Sequence, residues 1–239
     1  MNMLPGALVT LALAVVTALS DSDFENARYR SFEGVDQSVT VSVFEGREGV
    51  VLVQIEGVDV GKSPVAAMKT TPKGYQSHEG SAGFELRALR RKTFHGGSLR
   101  TAWALAHTGK DIQLVENPSP SSRSTKQAWA AYLDHNGLSQ DSRREGQKRY
   151  LENCRRAPRP QFDQDTVRYS GATLWALSAI CRIDEDYRDA ITRRKGIRVE
   201  SHAGDALHVD DSDARLSIKL PQKLMNPRAF IRESLENEL

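Results

Sequence analysis

Val39-Thr40-Val41-Ser42-Val43-Phe44-Glu45-Gly46-Arg47-Glu48-Gly49-Val50-Val51-Leu52-Val53-Gln54-Ile55 is the stretch on which the fold class turns. Val39, Val41 and Val43 alternate with Thr40, Ser42 and Phe44, the period of a strand with one buried face. Gly46 to Gly49 is a polar break, and Val50 to Ile55 is a second apolar run, so the stretch predicts a β-hairpin. Ala82 to Leu89 predicts a further strand, with Phe84, Leu86 and Ala88 on one face and Glu85 and Arg87 on the other. Thr101 to His107 and Ile112 to Val115 flank Thr108-Gly109-Lys110-Asp111 and predict a second hairpin. Gly61 to Gly80, rich in Gly, Pro, Ser and Lys, reads as a long loop. Residues 21–116 are therefore expected to be mainly β.

The pattern breaks at Asn117-Pro118-Ser119-Pro120-Ser121-Ser122, because proline cannot pair inside a sheet. Beyond it the spacing turns helical. Ser124 with Gln127 and Ser142 with Glu145 fit capping boxes, and Pro158 and Pro160 end the second helix. Val167 to Ile183 suits a strand or a buried helix. Asp184, Glu185 and Asp186 open a helix closed by Arg193, Arg194 and Lys195, charges that complement its dipole. Ile197 to Val199, Leu207 to Val209 and Leu216 to Leu220 read as short strands, and Asn226-Pro227 starts a last helix with Phe230, Ile231 and Leu235 inward. The expected fold class is α+β: an N-terminal antiparallel β-sheet, then a helical segment and a small C-terminal β/α region. Residues 121–239 form the mixed part, either as a second domain or as one domain with 21–116.

The amino terminus points to export. No charged side chain occurs from Leu4 to Leu19, and the apolar core Ala7 to Leu19 would span roughly 20 Å as a helix, short of a bilayer's ~30 Å. Ala18 and Ser20 are small residues before the acidic start Asp21, Asp23 and Glu25, which places a signal peptide at 1–20 with cleavage after Ser20. Retention of the segment as an anchor is the alternative, and no other stretch is long enough to span a membrane. Cys154 and Cys181 are the only two cysteines, and in an oxidising compartment they are expected to form a disulfide. The balance of 33 basic and 31 acidic residues, net +2, gives no electrostatic footprint for nucleic acid.

Three groups are candidates for function. Gly57-Val58-Asp59-Val60-Gly61-Lys62-Ser63 follows a strand in the manner of a phosphate-binding loop, but only three residues separate its glycines where four are needed, and Pro64 removes a donor. It reads as an ordinary loop. The stretch His202 to Asp213 concentrates His202, Asp205, His208, Asp210, Asp211 and Asp213, whose imidazoles and carboxylates are ligands for divalent ions. Its spacing matches no metal motif, and two polar turns explain it as well. The third candidate is basic surface. Arg143, Arg144, Lys148, Arg149, Arg155, Arg156 and Arg159 oppose only Glu145 and Glu152, and Arg87, Arg90, Arg91, Lys92 and Arg100 form a second group. Such patches meet anionic lipid, glycan or an acidic protein, or merely solvate a helix and guard a sheet edge. His78, His95, His107 and His135 stand alone and read as loop, turn or surface residues.

There is no Gly-x-Ser-x-Gly elbow and no cofactor motif. The expectation is an exported, soluble, non-enzymatic binding or interaction protein, an inhibitor or accessory subunit, whose partner is another envelope or secreted protein or an anionic surface. A metal-dependent hydrolase using His202 to Asp213 is the alternative.

Overall fold

The computed structural model describes residues 19–36, 39–57, 65–76, 84–107, 110–119, 123–212 and 215–238. The expected signal segment, apart from Leu19 and Ser20, lies outside them, as do 58–64 of the phosphate-loop look-alike, His78 and Asp213.

Eight strands follow the amino-terminal turn: β1 (Arg28–Gly34), β2 (Thr40–Glu45), β3 (Val50–Glu56), β4 (Val65–Thr71), β5 (Gly74–Gln76), β6 (Phe84–His95), β7 (Ser98–His107) and β8 (Lys110–Glu116). Each pairs antiparallel with the next, and β8 returns to β1 through Phe32↔Glu116, Glu33↔Val115 and Gly34↔Leu114. The expected fold class, an N-terminal antiparallel β-sheet with a helical segment and a small C-terminal β/α region, is thereby corrected. The eight strands form a closed up-and-down barrel, in which the first and last strands pair with each other instead of standing as edges. The expected loop at Gly61 to Gly80 is also corrected over 65–76, where β4 and β5 complete the barrel wall. Val65, Ala66, Ala67 and Met68 are all buried, but the apolar run is only four residues long and lies among Gly, Pro and Lys neighbours.

Alternation sorts each strand into an inner and an outer face. Phe32, Val41, Val43, Val51, Val53, Met68, Tyr75, Leu86, Trp103, Leu105 and Leu114 fill the interior, as expected for a barrel of this size. One end of the interior is closed by a polar network on Arg30. Its Nε and Nη2 donate to the two oxygens of Glu116, both at 2.7 Å, and Nη1 donates to Tyr75 Oη at 2.6 Å and to Glu45 at 3.3 Å. Tyr75 in turn donates to Glu45. The guanidinium also lies 5.0 Å from the centre of the Trp103 ring. The Glu116 bidentate contact holds Arg30 firmly charged, and burial together with the Glu45 bond pushes the Tyr75 phenol well above its ordinary range.

The outer face of β2, β3 and β4 carries the rest of the chain. Phe44, Leu52, Val65 and Ala67 pack against Phe24 and against Ala128 and Tyr132 of α1 (Thr125–His135). Because β5 is only three residues long, β4 pairs with it only at Lys69 to Thr71. The Asn226 side-chain amide donates to Ala67 O at 3.0 Å and accepts from Ala67 N at 2.9 Å, standing in for a strand partner. Tyr132 also donates to Met225 O.

Ser124 caps α1 as expected. For α2 (Gln140–Asn153) the expected capping box is corrected: Ser139 is the cap, accepting from Ser142 N at 3.0 Å, and Ser142 lies inside the helix. The strand-or-helix stretch is resolved as α3 (Ser170–Ile183), whose Ala172, Leu174, Ala176, Leu177, Ile180 and Cys181 are buried. Asp184 caps α4 (Glu185–Arg193), accepting from Asp186 N and Tyr187 N. A second sheet runs β11 (His208–Ser212), β12 (Arg215–Pro221), β10 (Gly196–His202), β9 (Pro160–Phe162). In it β10 is parallel to both neighbours, and β12 lies between the two strands that precede it in the chain. Last comes α5 (Pro227–Glu238), which packs Ile231 and Leu235 against α3.

Candidate functional site

Of the basic group Arg87 to Arg100, Arg87 lies in the barrel ladder and the rest lie past it. Strands β6 and β7 share a ladder as far as His95↔Ser98, yet among the described residues β5 pairs with β6 only at Glu85 to Arg87, and β8 pairs with β7 only from Ala102. Among the described residues, beyond the register shift between Ala88 and Lys92 the two strands pair only with each other. Such a bulge bends and twists a ribbon. From Lys92↔Thr101 to the tip, this arm runs on for about 13 Å at the usual strand rise. His95-Gly96-Gly97-Ser98 closes it, with φ of 56° at Gly96 and 76° at Gly97, the two positive values that a tight hairpin turn demands.

The arm has an unusual surface. Phe94 and Leu99 are direct cross-strand partners, so both project from one face, and they are 71% and 62% exposed. Among the described residues they are the most exposed large apolar side chains besides Ile183. Lys92 shares their face. No acidic residue occurs between Arg87 and Thr101. Arg87 pairs with Asp111 at 2.5 Å, Arg91 reaches the Gln113 side chain, and Arg100 reaches Ser98 and the Glu116 carbonyl. Arg90 and Lys92 are exposed and make no ion pair among the described residues. The result is an apolar tip above a positive collar.

The basic stretch on α2 does not form one patch. Arg143 turns inward to the Arg168 carbonyl, and Arg149 pairs with Glu145 at 2.7 Å and stacks on Trp175. Arg144, Lys148, Arg155 and Arg156 remain exposed. Cys154 and Cys181 are both buried, with sulfurs 2.11 Å apart, a disulfide-distance pair joining the end of α2 to α3.

The metal candidates lie where β10 turns toward β11. His202 Nε2 is 2.7 Å from Ala206 O, and Nδ1 accepts from Gly204 N at 3.0 Å, so the local backbone engages both ring nitrogens. The His208 ring packs 5.1 Å away, and Asp205 and Asp210 are exposed. Among the described residues no three His, Cys, Asp or Glu side chains are grouped to hold a metal ion.

Sequence reasoning missed a cleft of about 440 Å³ where α1, α2, α3 and α5 meet the barrel, lined in part by Asp134, His135, Glu145, Trp175 and Arg228. Arg149 and Arg228 place their guanidinium carbons 4.1 and 4.0 Å from the Trp175 ring centre. Arg228 donates to the His135 carbonyl at 3.1 Å, and burial beside Arg149 and Arg232 holds it below the usual arginine range. Burial, reinforced by Arg228, pushes the His135 imidazole down to about 4, so it is neutral near pH 7. The contributing residues are scattered from 134 to 228, and no spacing signals them.

Among the described residues no helix is long and apolar enough to cross a membrane. Comparison with protein-family models, with curated proteins and with solved structures finds no match to this chain.

Proposed function

We propose that this chain is an exported, non-enzymatic binding protein that docks on a negatively charged partner through the β6–β7 arm. One observation carries the reading: an arm outside the barrel ladder presents Phe94 and Leu99 to solvent above Arg90 and Lys92, which no acidic side chain compensates among the described residues. Folding alone does not account for that arrangement. Apolar side chains gain nothing from exposure, and a self-paired ribbon contributes little to a core already filled by inward-facing residues. Guarding a sheet edge explains lysine and arginine there but not phenylalanine.

The test uses the purified chain and washed envelopes of the producing cell. Binding is measured by co-sedimentation for the unaltered chain, for an arm variant (Arg90→Glu, Arg91→Glu, Lys92→Glu) and for a helix variant (Arg144→Glu, Lys148→Glu, Arg155→Glu). Salt-dependent binding lost only in the arm variant is expected. Loss in the helix variant alone, or no binding at all, overturns the reading.

A further inference from the structure

Resting on that reading, we infer that the surface met by the arm is an anionic lipid bilayer, with Phe94 and Leu99 entering the headgroup–acyl boundary and Arg90, Arg91 and Lys92 held at the phosphate level. The shape of the arm favours a bilayer over an acidic protein. A stable protein interface buries roughly 800 Å² on each side around a desolvated centre. The arm is a two-stranded ribbon that runs past the barrel ladder, with two large apolar residues near its tip, and its flanks are charged. A bilayer needs no matching concavity: it accepts a small apolar wedge in the interface and attracts a diffuse collar of lysine and arginine.

The placement of each residue agrees. Phe94 and Leu99 lie one pair behind His95↔Ser98, which flank the Gly96-Gly97 turn, and they are the large apolar residues nearest the tip. Lys92 follows two residues behind on the same face, a spacing of about 7 Å along the strand. That separates an apolar depth from a phosphate depth. Arg100 lies on the opposite face, tethered to Ser98 and the Glu116 carbonyl, and so stiffens the ribbon. The two glycines of the turn carry no polar side chain, and His95 and Ser98 beside them alternate onto the face opposite Phe94 and Leu99.

The experiment floats the whole chain with vesicles of phosphatidylcholine alone and with phosphatidylcholine containing phosphatidylglycerol. Binding to the anionic vesicles, weakened by salt and absent from the neutral ones, is expected. Phe94→Ser with Leu99→Ser lowers the affinity by about tenfold or more, and Arg90→Gln with Arg91→Gln and Lys92→Gln lowers it by about a hundredfold. Because all five positions lie outside the core, far-ultraviolet circular dichroism of every variant should match the unaltered chain. Phe94→Trp should be quenched by brominated acyl chains well beyond the quenching of the native tryptophans. Equal binding to both vesicle types, or anionic binding untouched by either set of changes, overturns the inference. Arm-dependent binding to envelopes that is destroyed by protease treatment, together with no vesicle binding, also overturns it while the docking reading survives. Failure on both surfaces removes both.

Discussion

Replacing Arg30 with methionine tests whether the polar network at the barrel end helps hold the barrel closed. Arg30 is on β1, Glu116 on β8, Glu45 on β2 and Tyr75 on β5, so one side chain ties four strands, including the pair that closes the cylinder. Breaking a fully buried charge pair costs about 3–5 kcal/mol, mostly through the charge left behind. Here the side chains of Arg30, Glu45 and Glu116 retain 18%, 24% and 38% of their exposure, so water relieves part of that cost. Methionine also keeps the apolar contact with Phe32 and Trp103. We therefore expect Arg30→Met to cost about 2–3 kcal/mol, or a fall in Tm of about 5–10 °C for a chain of this size. Thermal and urea unfolding followed by tryptophan fluorescence measures it, with Trp103 next to the altered side chain. The companion change Arg30→Met with Glu116→Met should cost less than the sum of the two single changes, because the Glu116 carboxylate is no longer stranded, while Glu45 keeps the Tyr75 donor. A fall in Tm below roughly 2 °C for Arg30→Met, or strict additivity in the cycle, would refute the reasoning.

Three further outcomes are expected. Reducing the Cys154–Cys181 bridge, or changing both residues to alanine, should cost about 3–4 kcal/mol by loop-closure entropy for a separation of 27 residues, seen as a lower urea midpoint; an unchanged midpoint with and without reductant counts against the bridge. His135 has a depressed folded-state value, so the unfolded chain takes up the proton first. Its stabilising share is present above about pH 6.5 and is lost as the pH falls toward 4, by about 3 kcal/mol at most, and His135→Gln should flatten the stability–pH profile in that window. Gly137→Ala should cost about 3 kcal/mol or more, since a methyl group there would sit 2.5 Å from Ala172 N at a φ of +73°; calorimetry showing a near-neutral change would mean that the α1–α2 turn can move aside.

Most of the local structure was legible in the sequence, and most of the arrangement was not. The Val39 to Ile55 hairpin, the Ser124 and Asp184 caps and the Asn226 start of the last helix follow from periodicity and side-chain hydrogen bonding within a few residues, which are local physics. The basic run from Arg87 to Arg100 was visible as composition. Its meaning was not, because alternation makes Phe94 look like any inward-facing strand residue. Only the end of the β7–β8 ladder at Ala102 and of the β5–β6 ladder at Arg87 shows that Phe94 and Leu99 lie beyond the barrel. Closure itself depends on Phe32 meeting Glu116, a contact between residues far apart in the chain that no local pattern encodes. The same holds for Arg30 with Glu116, for Asn226 with Ala67, and for the cleft that brings His135, Trp175 and Arg228 together. Residue types determined the elements through short-range sterics and hydrogen bonding; which faces those elements covered, and which they left to solvent, was decided by burial summed over the whole chain.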